Sequence, residues 1–89
     1  MSSFNFPFTY QNLPYTATCE IIHQTPDTLF QVMADDKALQ TQFGTYQKIT
    51  RDTNGNYTRG LPRFVGGRDF IDALYEGFRT FQEANPQYA

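Results

Sequence analysis

The chain has 89 residues and a formal net charge of −2, and 39% of its residues are apolar while 18% are charged. This length supports one hydrophobic core and excludes a catalytic domain beside a separate binding domain, so we expect a single domain over residues 1–89. The apolar fraction excludes a disordered chain, and no segment approaches the roughly 18 consecutive apolar residues that span a bilayer. Nine Phe and six Tyr predict a core filled largely by aromatic rings.

The first predicted elements are two strands. Residues 4–10 alternate between aromatic and other side chains, which is typical of a half-buried strand. Its aromatic side comprises Phe4, Phe6, Phe8 and Tyr10. Pro7 has no amide hydrogen to donate to a neighbouring strand, so we expect this strand at an edge of the sheet. Alternation resumes over residues 15–23, and the two segments together predict a β-hairpin.

Residues 26–43 are compatible with two structures. In the first, residues 28–34 form a strand, followed by a turn and by a short helical turn over residues 38–43. In the second, a single helix covers the whole segment. Asp36 and Gln40 would fall within the apolar arc of that helix. The strand is therefore favoured, although short apolar runs are compatible with both periods.

The next segment predicts a second hairpin. Residues 45–53 and 56–60 are compatible with strands, and Asn54 followed by Gly55 is the strongest two-residue signal for a type I′ turn. Such a turn requires positive φ at both central residues, which Asn and Gly adopt most readily. Pro62 lacks an amide donor and is expected to end the return strand.

An amphipathic helix is predicted over residues 67–84, because Asn85 and Pro86 end the pattern. Its apolar arc of about 100° comprises Phe70, Ile71, Leu74, Phe78 and Phe81. Gly77 lies beside this arc, where it either lets the helix approach the sheet closely or is simply tolerated at a cost of about 1 kcal/mol against alanine. The sequence thus predicts an α+β fold, a small antiparallel β-meander of four to five strands packed by one C-terminal amphipathic α-helix.

Cys19 and His23 are the only residues of their kinds, and they lie on one predicted strand. Four residues of extended chain place them about 13 Å apart, too far for a nucleophile and its base to touch. A single sulfur also excludes an internal disulfide or a cysteine-rich zinc site. Cys19 is therefore expected to be a small, buried and inert side chain.

The carboxylates predict no catalytic, metal or cofactor site either. Asp27, Asp35 and Asp36 lack the glycine and terminal Glu of a calcium loop, so we expect them in solvated turns. Asp72 and Glu76 lie on the outer face of the predicted helix, away from any cleft that would pair two carboxylates. We therefore expect a protein that is not an enzyme and that has no catalytic residue, no metal site and no cofactor.

One region of the chain is basic. Five of the seven basic residues lie between positions 48 and 68, with Asp52 as the single acidic residue among them. Tyr46, Tyr57 and Phe64 are interleaved with these cations. We take as the candidate interaction surface the residues Lys48, Arg51, Tyr57, Arg59, Arg63 and Arg68.

Two functions are compatible with this pattern. The first is a small non-enzymatic interaction module, an accessory, inhibitor or regulatory protein that binds another protein. The second is single-stranded nucleic-acid binding, in which arginines contact phosphates and aromatic rings stack on bases. A net charge of −2 gives no long-range attraction to nucleic acid, so a protein partner is favoured. We expect no membrane association. Because no basic stretch precedes the N-terminal apolar positions, we expect a cytoplasmic protein. The sequence does not indicate the oligomeric state.

Overall fold

A computed structural model describes residues 2–23, 26–62 and 65–88. Five antiparallel strands form one sheet in the order β1-β2-β3-β4-β5, which is their order along the chain. The elements are β1 (Ser2–Tyr10), β2 (Leu13–His23), β3 (Thr28–Ala34), α1 (Lys37–Phe43), β4 (Gln47–Arg51), β5 (Tyr57–Arg59), α2 (Gly67–Ala84) and a 3-10 turn (Pro86–Tyr88). The predicted α+β fold, a β-meander packed by a C-terminal helix, is confirmed. Within the described ranges, no helix combines the length and the apolar character needed to cross a membrane.

The first hairpin is confirmed and turns more tightly than predicted. Tyr10 pairs directly with Leu13, so the loop is Gln11 and Asn12 alone, with φ values of 51° and 64°. Positive φ at both residues defines a type I′ turn, in which the closing pair is hydrogen-bonded and the bonding then alternates. Pro7 falls at a position whose backbone faces away from β2. The nitrogen of Pro7 therefore faces the outer edge of the sheet, and no hydrogen bond to β2 is lost. The strand lies at an edge, as predicted.

The favoured interpretation of residues 26–43 is also confirmed. Residues of β3 pair with β2 from Thr28 to Ala34, and Phe30, Val32 and Ala34 are buried in alternation. The chain then turns and enters α1, where the Asp36 carboxylate accepts the amide of Leu39 at 3.1 Å and caps the helix. The single long helix is wrong, because these apolar side chains follow a two-residue period into the core.

The turn of the second hairpin differs from the prediction. Among the non-glycine residues in the described ranges only Gln11 and Asn12 have positive φ, so Asn54 lacks the φ that a type I′ turn requires. The amide of Gly55 donates to the Asp52 carbonyl at 3.1 Å, and the Asp52 amide donates to the Asn56 carbonyl at 2.9 Å. These bonds define a longer loop with Gly55 alone in the left-handed region, at φ 85°.

The side chain of Asp52 explains the longer turn. Its Oδ1 accepts hydrogen bonds from the amides of both Asn54 and Asn56 at 2.9 Å. These two bonds stabilise the conformation of the loop that follows Asp52. Residues 52–56 consequently lie outside the ladder, and β4 and β5 are shorter than the predicted strands over 45–53 and 56–60.

Helix α2 covers one face of the sheet as predicted. Phe70, Ile71, Leu74 and Phe78 are buried, and Phe81 is half-buried. A side chain at Gly77 would place its Cβ 2.6 Å from the Cβ of Phe8 and 2.7 Å from the carbonyl oxygen of Pro7. The interpretation of Gly77 as a point of close approach is therefore confirmed, because no Cβ fits there without movement of β1.

Both edges of the sheet contact this one helix. At the β1 edge the ring of Phe4 stacks on Phe81 with centroids 5.1 Å apart. At the β5 edge the rings of Tyr57 and Tyr75 meet at 6.2 Å. Opposite edges of a five-stranded sheet can reach the same helix only if the sheet curls around it.

Aromatic rings fill the enclosed space, as the composition predicts. Near the start of α2, the Phe43 ring of α1 stacks on Phe70 with centroids 4.5 Å apart, and Tyr10 meets both rings edge-on. At the other end of α2, the Tyr88 carbonyl accepts a hydrogen bond from Nε2 of the buried Gln82 at 2.8 Å. The Tyr88 ring lies 4.7 Å from that of Phe4. The final turn thus packs against the first strand.

Candidate functional site

The residues predicted as one interaction surface are divided between two faces of the sheet. Cross-strand pairing puts Arg59 opposite Ile49 and Arg51 opposite Tyr57. Because Ile49 is buried, these three candidates lie on the face that α2 covers. Lys48 pairs with Gln31 and projects to the open face. Arg63, together with Phe64, lies outside the described residues.

Tyr57 is held against α2 and contributes to the packing of the hairpin. Its hydroxyl donates to Oε1 of the buried Gln82 at 3.1 Å, and Nη1 of Arg51 donates to the same hydroxyl at 3.4 Å. The guanidinium of Arg79 lies 4.2 Å from the ring centroid, and the ring of Phe78 meets it edge-on at 6.0 Å. The ring that the nucleic-acid hypothesis assigned to base stacking is thus already in contact with a cation and with the core.

Arg59 is engaged with the first half of α2. Its guanidinium forms an ion pair with Asp72 and lies 5.0 Å from the ring centroid of Tyr75. The Arg59 and Asp72 side chains are 41% and 47% exposed, so solvent screens the pair and its contribution to stability is about 0–1 kcal/mol. Asp72, predicted on the outer face of the helix, thus pairs with Arg59 of β5.

A groove made of two adjoining pockets lies beside β5 and beyond its end. Its larger part, about 460 Å³, has Phe43, Phe70 and Ile71 among its lining residues. Its smaller part, about 260 Å³, lies between β5 and the first turns of α2. The two parts share residues 60–62 and Ile71. We call the two parts together the β5 groove.

Apolar residues on the rim of the β5 groove are exposed to solvent. Leu61 is 84% exposed and Tyr46 is 56% exposed, and both line the larger part. Sequence reasoning missed Leu61, because a single leucine between Gly60 and Pro62 reads only as the end of a strand. Its place in the groove depends on segments that are distant in the sequence and meet only in the folded chain.

The charged residues of the β5 groove are mostly cations. Among its described lining residues, Lys48, Arg59 and Arg68 carry positive charge and Asp72 carries negative charge. Three of the six predicted site residues thus line the groove, while Arg51 packs beneath α2 with its guanidinium 5.4 Å from the Phe30 ring centroid. The groove combines an apolar floor with a basic rim, an arrangement suited to binding.

The two residues considered for nucleophilic chemistry lie elsewhere. Cys19 has no exposed surface, and burial raises the pKa of its thiol to about 12, with a smaller contribution from the negative charge of Glu20. His23 is exposed at the end of β2. The expectation of a buried Cys19 is confirmed.

Within residues 2–23, 26–62 and 65–88, no group of three or more His, Cys, Asp or Glu side chains is placed to hold a metal ion. Comparisons of the chain with protein-family models, with curated proteins and with solved structures find no match.

Proposed function

We propose that this protein is a small non-enzymatic interaction module that binds a partner protein through the β5 groove. The observation that carries the proposal is Leu61, which is 84% exposed at the rim of a groove lined by Phe43 and Phe70. Covering a leucine side chain contributes about 1.5–3 kcal/mol, so this position is a strong source of binding energy that folding leaves unused.

The size of the β5 groove fits this function. Its larger part, about 460 Å³, lies within the range of roughly 300–1,000 Å³ that binding pockets occupy. Apolar lining residues, with a few charged groups at the rim, are typical of sites that anchor one or two apolar side chains of a partner.

The contacts of the basic hairpin favour a protein partner over nucleic acid. Arg51 and Tyr57 face α2, and the Tyr57 ring is already in contact with Arg79. Arg59 is ion-paired with Asp72. Among the described residues, Arg51, Tyr57 and Arg59 are thus already engaged within the fold and are not free for the phosphate contacts and base stacking that single-stranded nucleic-acid binding uses.

A matched pair of substitutions tests the proposal. Leu61 and Val65 are both highly exposed, at 84% and 98%, but only Leu61 lines the β5 groove. Peptides selected from a displayed random library by the wild-type protein should bind Leu61→Gln at least tenfold more weakly, which corresponds to a loss of about 1.4 kcal/mol. Val65→Gln should bind them as the wild type does, and both variants should keep the wild-type melting temperature.

Backbone NMR shifts of the complex locate the bound peptide independently. We expect the changes to concentrate at Tyr46, Leu61 and Ile71, which line the groove. Selected peptides that shift the open face of the sheet instead, or that bind Leu61→Gln and Val65→Gln equally, would show that the groove is not the binding site. A selection that returns no binding peptide would also count against the proposal.

A further inference from the structure

The two edges of the sheet differ in their ability to accept another strand. The β1 edge carries Pro7, which has no amide hydrogen at an outward-facing position. Helix α2 also packs against β1 at this position, since the Pro7 carbonyl oxygen lies 2.7 Å from where a Cβ of Gly77 would be. An added strand would find a missing donor and a helix in its way.

The β5 edge presents complete backbone groups. The Gly60 amide donates to the Lys48 carbonyl at 3.0 Å, and the Asp52 amide donates to the Asn56 carbonyl at 2.9 Å. Hydrogen bonding alternates along an antiparallel pair, so the amides and carbonyls of Tyr57 and Arg59 face away from β4. Within the described parts of the chain, no backbone group forms a hydrogen bond with these outward-facing amides and carbonyls.

The charge of the groove beside this edge specifies the partner. Among the described lining residues, Lys48, Arg59 and Arg68 carry positive charge and Asp72, which is ion-paired with Arg59, carries negative charge, whereas the whole chain has a net charge of −2. Acidic side chains flanking an added strand would therefore meet complementary charge. A second copy of this chain is disfavoured, because pairing β5 with itself would bring two basic edges together.

We propose that β5 binds an extended acidic peptide of a partner protein by strand addition, an inference that rests on the function proposed above. The peptide exchanges backbone hydrogen bonds with Tyr57 and Arg59, and one of its apolar side chains enters the β5 groove. Only these two residues of the three-residue strand face outward. Strand pairing alone is therefore weak, and the apolar anchor supplies affinity while the backbone fixes direction and register.

Amide hydrogen exchange on the full chain tests this binding mode. The probes are pooled peptides of about six residues, the usual strand length, in which Glu alternates with varied apolar residues, and matched pools with Lys in place of Glu. We expect the acidic pool to slow exchange of the Tyr57 and Arg59 amides at least tenfold. The Thr58 amide, which already faces β4, is the internal control and should not change. The lysine pool should bind at least tenfold more weakly.

Two substitutions of one residue separate backbone pairing from charge. Arg59→Gln removes the charge and keeps the amide hydrogen, while Arg59→Pro also removes the outward donor and leaves the hydrogen bonds to β4 in place. We expect Arg59→Pro to bind the acidic pool at least tenfold more weakly than Arg59→Gln. If Arg59→Pro does not fold, the exchange pattern of the wild type decides.

The possible results distinguish this inference from the proposed function. Equal binding by Arg59→Pro and Arg59→Gln, with no slowing at Tyr57, would overturn strand addition while sensitivity to Leu61→Gln would still support the groove. If Leu61→Gln binds the acidic pool with wild-type affinity and the Tyr57 and Arg59 amides still exchange slowly, strand addition would be supported. The groove would then not be the anchor of the peptide. Absence of binding by the acidic pool, or slowing by both pools alike, would overturn the inference.

Discussion

The β1 and β5 edges contact the same helix through different kinds of interaction. At β1, a nine-residue strand packs Phe4 and Phe8 against α2, and Gly77 brings the two backbones together. At β5, a three-residue strand is attached by the exposed ion pair of Arg59 and by contacts of Tyr57. Apolar side chains that are buried away from water stabilise the fold, whereas half-exposed polar contacts can rearrange at a small cost in free energy. The fold thus packs the β1 edge firmly against α2, whereas the β5 edge is held by contacts that can rearrange.

The largest expected effect is at the centre of the core, where the Phe78 ring lies 5.0 Å from that of Phe30 in β3 and 6.0 Å from that of Tyr57 in β5. Phe78 has no exposed surface and contacts the rings of Phe4 and Phe6 at 6.2 Å and 6.0 Å. Phe78→Ala should lower the free energy of unfolding by about 3–5 kcal/mol, a large part of the total for a small domain. Denaturant unfolding measures this, with the exposed Glu83→Ala as control. Equal midpoints for the two variants would contradict the assigned core.

The close approach at Gly77 gives the second effect. Alanine there gains about 1 kcal/mol of helix propensity, but its Cβ would meet the Pro7 carbonyl oxygen at 2.7 Å, so β1 must move. We expect Gly77→Ala to destabilise the protein by about 1–3 kcal/mol. Thr80→Ala on the exposed helix surface is the control and should change stability little. A stabilised Gly77→Ala would mean that the β1 edge is as adaptable as β5.

A smaller effect is expected at the β5 edge. A double-mutant cycle with Arg59→Gln and Asp72→Asn should give a coupling energy of about 0–1 kcal/mol, because both side chains are about half exposed. The coupling should fall further in high salt. A coupling above about 2 kcal/mol would show that β5 is fixed as firmly as β1.

The smallest effect concerns nucleic acid. Fluorescence anisotropy with labelled single- and double-stranded oligonucleotides should show no binding tighter than about 10⁻⁴ M at physiological salt. Arg59→Ala should leave any residual signal unchanged, since Arg59 is ion-paired with Asp72. A micromolar, salt-sensitive complex weakened by this substitution would restore the nucleic-acid hypothesis for the basic hairpin.

The elements that the sequence predicts best are those with strong periodic patterns and clear ends. Helix α2 spans the predicted 67–84, because its apolar arc is continuous and Asn85 and Pro86 follow it. The turn at residues 52–56 was predicted wrongly, since the Asp52 carboxylate accepts two loop amides and outweighs the local preference of Asn54 and Gly55.

The candidate site could be predicted only in part. Strand alternation already places Arg51 and Ile49 on one face, so the division of the basic residues between two faces was readable from the sequence. The β5 groove was not, because it forms where Phe43, Leu61 and Phe70 meet. These residues belong to three separate segments, and no local pattern relates them.

The contact between Tyr88 and Phe4 determines where this molecule can be joined to others. It brings the first strand and the final turn together at one end of α2, while the β5 groove includes Gly67 and Phe70 at the opposite end. Phe70, in the larger part of the groove, lies 12 residues before Gln82, which donates to the Tyr88 carbonyl, so about 18 Å of helix separates them at 1.5 Å per residue. Segments joined to β1 and to the final turn would therefore start close together, at the end of α2 opposite the larger part of the groove. The same proximity of the ends makes the fold suitable for circular permutation, with a short linker joining them and new ends opened at the exposed tip of residues 53–55.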